Sequence, residues 1–221
     1  MSLLEKAIEA HGGRDAWHGR EQFELEASVG GLAWPLRTRR RPGFFRGRVR
    51  TAEPSMEVLD YPRPGQRGVF EPDRVWIDGG AERRDPRASF RRFSRQLHWD
   101  DLDLLYFAGY AWWNYMAFPF LLDRPAFEVR EEEGRRLRVR FPDGFPAHCR
   151  EQVFYLDEQH RLVRNDYTAE VFGPWAKAKH LSGEHRRFDG LLVPTRRRVY
   201  MRGTRFPVII SLDVRSVRAL A

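Results

Sequence analysis

Residues 104–122 read LLYFAGYAWWNYMAFPFLL, nineteen positions without a charge that include eight aromatic side chains. Such a stretch is a membrane span, the centre of a soluble core, or the wall of a binding site. At helical pitch it covers about 28 Å, close to the thickness of a bilayer interior. Its composition opposes a span. Trp112, Trp113, Asn114 and Tyr115 stand at mid-segment, whereas Trp and Tyr of spanning helices favour the interfaces and an amide at the centre is costly. Pro119 ends the helix before the apolar run ends. The sequence therefore predicts no transmembrane span but a buried helix over residues 100–118, with Leu102, Leu105, Tyr106, Gly109, Trp112, Trp113 and Met116 on one face.

Eight buried aromatics correspond to about 30 to 50 kcal/mol of transfer free energy as an upper bound, at ~25 cal/mol per Å². No solvated surface carries that much, so the helix needs a concave partner. The rest of the chain supplies strands. In residues 22–29, Phe23, Leu25, Ala27 and Val29 alternate with Glu24, Glu26 and Ser28, the period of a half-buried strand. Gly30 and Gly31 offer a tight turn into a following strand, LAWPLRT. Further strands are expected at 44–51, 56–61, 67–71 and 74–78. After the aromatic helix they resume at 127–131, 136–141, 150–156, 162–171, 180–188, 192–202 and 207–217, separated by Gly, Asp and Pro turn signals. Residues 79–97 are polar and arginine-rich without a clean period, which predicts a surface loop or weak helix, long enough to act as a lid. About ten to twelve strands with few helices predict a mainly β (α+β) fold, a large curved antiparallel sheet or unclosed β-barrel with helices over its concave face, built as a single domain over residues 1–221.

At the N-terminus, Ser2 with Glu5 forms a capping box, Leu4, Ala7, Ile8 and His11 make one stripe, and Gly12 ends the helix. A short helical turn is expected at 15–18. These residues lack the pattern of a secretory signal, so a cytoplasmic location is expected. A net charge of +8 raises the possibility of nucleic-acid binding. The cations are dispersed, however: only Lys6, Lys177 and Lys179 are lysines, and Arg136, Arg138 and Arg140 alternate with Leu137, Val139 and Phe141 as on the outer face of a strand.

Four segments carry a resemblance: IEAHGGRDAW at 8–17, REQVFYLDEQHRLVRNDYTAEV at 150–171, GEHRRFDGLLVPTRRRVY at 183–200 and PVIISLDVRSVRA at 207–219. Together they resemble uncharacterised bacterial relatives of the lipoprotein-localisation-factor-like (LolA/LolB-type) proteins. That resemblance implies an unclosed antiparallel half-barrel whose helix-covered concave face holds acyl chains or another apolar ligand.

Chemical motifs are sparse. His98, Asp100, Asp101 and Asp103 cluster before the aromatic helix, where acids cap and complement the helix dipole; no metal site or cofactor is predicted from them. A single cysteine, Cys149, excludes an internal disulfide, and its neighbour His148 would point to the opposite face of a strand. No nucleotide-binding, nucleophile-elbow or metalloprotease motif is present, so no catalytic residue is nominated. The function expected is non-catalytic binding of a hydrophobic or lipid-like small molecule between sheet and helix. Tyr106, Tyr110, Trp113 and Asn114 would line the cavity with Trp34, and His98, Arg92 and Arg95 would meet an acidic head group. Alternatives are a basic structural or nucleic-acid-associated protein with a solid core, and an enzyme acting on a lipid-like substrate in the same cavity.

Overall fold

Alternating apolar residues along most of the chain assemble into one 13-stranded antiparallel sheet, seen in a computed structural model that describes residues 1–38 and 43–220. Strands β1 (Gln22–Gly30), β2 (Phe44–Arg50), β3 (Met56–Leu59), β4 (Arg67–Glu71), β5 (Arg74–Ile77) and β6 (Glu82–Arg84) run outward from the centre as a meander. The chain then crosses the concave face and starts again at the opposite edge. From there β7 (Glu128–Glu132), β8 (Arg136–Arg140), β9 (Glu151–Leu156), β10 (Leu162–Thr168), β11 (Lys177–Phe188), β12 (Leu191–Met201) and β13 (Ile210–Leu220) step inward until β13 pairs with β1. The sheet is not closed. Its two edges, β6 with the sequence ERR and β7 with EVREE, are short and charged, which discourages pairing with another sheet.

The expected period-two pattern is plain in β1, where Phe23, Leu25 and Ala27 are completely buried. On β8, Leu137 and Val139 point inward, while Arg136 and Arg138 lie on the convex side and pair with Glu132 of β7. Arg138 also reaches Glu151 of β9.

Six α-helices occur among the described residues: α1 (Leu3–Ala10), α2 (Arg14–His18), α3 (Ala33–Arg37), α4 (Pro86–Ser89), α5 (Phe93–Leu97) and α6 (Asp101–Ala117). The capping box of Ser2 and Glu5 forms as the sequence predicts. Trp17 of α2 is buried and stacks between Phe23 and Phe120, at 5.6 and 5.9 Å between ring centroids.

The aromatic stretch is the buried helix α6, ending at Ala117 ahead of Pro119. No helix among the described residues is long and apolar enough to cross a membrane. Asp100 caps α6 by accepting from the backbone N–H groups of Leu102 and Asp103, both at 3.0 Å, and Asp103 closes a second capping box. Gly109 lets the helix rest directly on Phe70 of β4, because a Cβ there would collide with the ring. Close approach outweighs the ~1 kcal/mol that glycine costs inside a helix.

Two expectations are revised. LAWPLRT is not a strand but contains α3, since Pro35 would remove a ladder hydrogen bond yet fits the first turn of a helix. Residues 79–97 hold the short helices α4 and α5, in keeping with the weak helix expected there, but also the edge strand β6, which was not expected.

A two-chambered cavity under a short helix

The concave face is filled unevenly. Helix α6 packs on β2 to β5, whereas part of the face formed by β10 to β13 is roofed by α3. Gly31, at φ +105°, turns the chain so sharply that a Cβ would stand 2.5 Å from the Ile209 carbonyl oxygen, so glycine is required. The Leu32 and Ala33 amides then donate to the Val208 and Ile209 carbonyls at 3.1 and 2.9 Å, tying α3 to the segment before β13. At its far end, Arg37 accepts from the Trp99 amide at 2.7 Å.

On one side of α3 lies an open cleft of about 1180 Å³. Its walls include Trp34, Phe45, Val58, Tyr61, His98 and Leu104. On the other side is a smaller apolar chamber of about 160 Å³, lined by Phe107, Tyr167, Phe172, Ala178, Val199 and Ile210 among others. Leu36 and Arg37 belong to both linings, so α3 is the partition between the two spaces.

The polar groups of this wall are unequally committed. Asp60 pairs with Arg46 at 3.1 Å, and Asp100 pairs with Arg83 and Arg95 at 2.7 and 2.6 Å. Although burial opposes ionisation of Asp100, the Arg83 hydrogen bond and the neighbouring charges hold its carboxyl down to about 2. Asp101 is also partnered. Arg37 is different: it has no carboxylate partner among the described residues, its buried Nε lacks an acceptor, and its guanidinium lies 5.5 Å from the Phe172 ring centroid. Burial lowers its pKa with no acid to offset the effect. The indole N–H of Trp99, also buried, likewise lacks an acceptor, and the Trp99 ring stands 4.7 Å from that of Phe172. Both orphan donors thus belong to side chains that stand against the same ring, that of Phe172.

Of the residues singled out from the sequence, Trp34 and His98 line the cleft. Trp34 is held by its indole N–H, which donates to the Gly30 carbonyl at 2.8 Å. Arg95 is engaged with Asp100 and Asp103 and steadies the start of α6, while Arg92 is exposed at the N-cap of α5. Tyr106, Tyr110 and Trp113 are buried in the packing of α6. The Trp113 indole donates to the Arg50 carbonyl at 2.7 Å. Asn114 donates to the Tyr110 and Pro146 carbonyls and borders a cavity of only about 10 Å³, room for a single water. That small space adjoins a polar seam between α6 and the second half of the sheet. His148 joins Tyr110 and Tyr115 there at 3.3 and 2.9 Å, and burial pushes its imidazole down to about 3. Arg197, 2% exposed, donates to the Tyr115 carbonyl at 3.3 Å.

Arg37, Trp99, Leu36 and Phe172 were not nominated from the sequence. Pro35 was the available signal, because it argues for helix at α3 and so for a wall there rather than a strand.

No protein-family model matches the sequence, and no curated protein matches it. Solved structures are similar in fold. A LolA superfamily protein from Nitrosomonas europaea aligns over 99% of this chain and 92% of its own, with a TM-score of 0.55 and 12% identity. A DUF1329 family protein from Desulfovibrio piger aligns over 98% and 91%, with a TM-score of 0.56 and 15% identity. The chain therefore has a LolA-like fold, an unclosed half-barrel whose concave face is covered by helices.

Proposed function

We propose that this protein binds a hydrophobic small molecule, with its apolar part in the chamber beneath α3 and its remainder in the adjoining cleft. The observation that carries the reading is the partition itself. An apolar chamber lined by aromatic and aliphatic side chains is separated from an open cleft by a five-residue helix without a side-chain cap. Concave, mostly apolar spaces with a few polar groups are the usual anatomy of ligand sites. The LolA-like fold is in keeping with it. Binding rather than catalysis is favoured because the cleft carboxylates Asp60 and Asp100 are engaged in ion pairs with Arg46, Arg83 and Arg95.

The exposed apolar residues around α3 fit the same reading. Leu32 and Leu36 are 43% and 55% exposed, and Trp175, another residue of the chamber lining, is 59% exposed. Side chains of this kind in water suit a cover that re-packs when a ligand enters.

Native mass spectrometry of the purified protein, followed by denaturation and identification of what is released, is the direct test. An apolar molecule at about one per chain is expected. A clean mass, together with no uptake of alkyl probes by the purified chain, would overturn the proposal.

A further inference from the structure

We infer that the ligand is a single-chain amphiphile with an anionic head, a carboxylate or a phosphate, and that Arg37 and Trp99 hold that head at the mouth of the apolar chamber. This rests on the binding function proposed above and adds the chemical class.

Several independent features converge on it. The Arg37 guanidinium is the charged group shared by both linings, so one side chain meets the open cleft and the apolar chamber at once. Its Nε and the Trp99 Nε1 are buried donors with no acceptor among the described residues. A buried donor left unsatisfied is costly and is seldom kept without a reason. The Arg37 guanidinium is partly exposed, so water screens much of its charge, but no carboxylate among the described residues competes for it. One group that accepts hydrogen bonds and carries negative charge satisfies both donors, and the planar fork of arginine suits carboxylate and phosphate oxygens. The cleft acids do not supply that charge, since Asp60 and Asp100 are neutralised by Arg46, Arg83 and Arg95 and Asp101 is partnered. The apolar tail has its place as well: beyond Arg37 the wall is Phe107, Phe172, Ala178, Val199 and Ile210.

The test compares hexanoic acid, hexyl phosphate and hexanol, whose six-carbon tails match a chamber of about 160 Å³, by calorimetry on the wild-type chain and on Arg37→Gln. Acid or phosphate is expected to bind the wild type about tenfold or more tighter than the alcohol, the usual scale for a charge-assisted hydrogen bond. Arg37→Gln should erase that preference and leave hexanol binding unchanged. Should Arg37→Gln fold poorly, Trp99→Phe removes only the indole donor and should weaken acid binding several-fold with the alcohol unaffected. Tighter binding of the acid would identify a fatty-acid-like ligand, and tighter binding of the phosphate a lipid phosphate. Equal affinity for acid and alcohol in the wild type, or a preference that survives Arg37→Gln, overturns the inference while leaving hydrophobic binding intact. Binding of none of the three overturns both.

Discussion

The two halves of the concave face solve the same burial problem in opposite ways. Over β2 to β5 lies α6, seventeen residues long, capped at its start and pressed onto Phe70 through Gly109. Over β10 to β13 part of the roof is α3, five residues long, with no side-chain cap and with Leu36 more than half exposed. One half is filled and part of the other is merely covered. A packed helix stabilises the fold through dispersion and burial, whereas a short roof over an apolar space forgoes those contacts and keeps the space accessible.

Removing bulk from the filled half should show the largest effect. Trp113 is completely buried, so Trp113→Ala should cost about 3 to 5 kcal/mol in urea unfolding. A loss under about 1 kcal/mol would mean that α6 is not tightly packed in the core. Adding bulk at the contact with β4 comes next. Gly109→Ala gains helix propensity, yet its methyl group must displace the Phe70 ring, and a net loss of about 1 to 3 kcal/mol is expected. Alanine that stabilised the protein would show that the helix stands off the sheet.

The seam between the halves should respond to pH. Neither ring nitrogen of the buried His180 has a hydrogen-bond partner among the described residues, and burial holds its pKa well below the usual histidine value. Burial likewise lowers His11 to about 4 and His148 to about 3. Each therefore stays neutral in the folded chain while the unfolded chain takes up a proton below about pH 6.5. Stability is full above that pH and falls as the pH drops toward the folded values, by about 1.4 kcal/mol per pH unit for each histidine. His180→Phe should remove one such contribution and flatten the dependence between pH 6 and 4.5 by that amount; an unchanged slope would show that His180 is accessible to protons.

The covered half should show the smallest change in stability and the larger change in binding. Leu36→Ala should alter unfolding by no more than about 0.5 kcal/mol, as for other surface positions, yet weaken retention of an alkyl probe. Greater loss of stability with intact binding would reverse the contrast between the halves.

Local chemistry made much of this legible beforehand. The capping box at Ser2, the acidic start of α6 and the alternation in β1 and β8 are interactions among near neighbours, so residue order alone predicts them. Edge strand β6 was hidden because three charged residues carry no apolar period, and its place beside β5 comes from pairing. Helix α3 was hidden behind two glycines that signal a hairpin turn equally well.

The site divides along the same line. Tyr106, Tyr110, Trp113 and Asn114 are aromatic or polar enough to suggest a pocket wall, but α6 turns them into protein, where Arg50, Pro146 and His148 partner the last three. Trp34 and His98 do border the cleft. Arg95 carries the same guanidinium as Arg37, yet Asp100 and Asp103 consume it.

By itself, then, the sequence determined that this chain is a curved antiparallel sheet around a buried aromatic helix, because period and capping are written in neighbouring residues. Only the tertiary structure decided where space remains inside it and which of the described arginines faces that space without a counter-charge among the described residues. An empty volume and an unpaired charge are sums over contacts from distant strands and helices, and no local pattern encodes a sum of that kind.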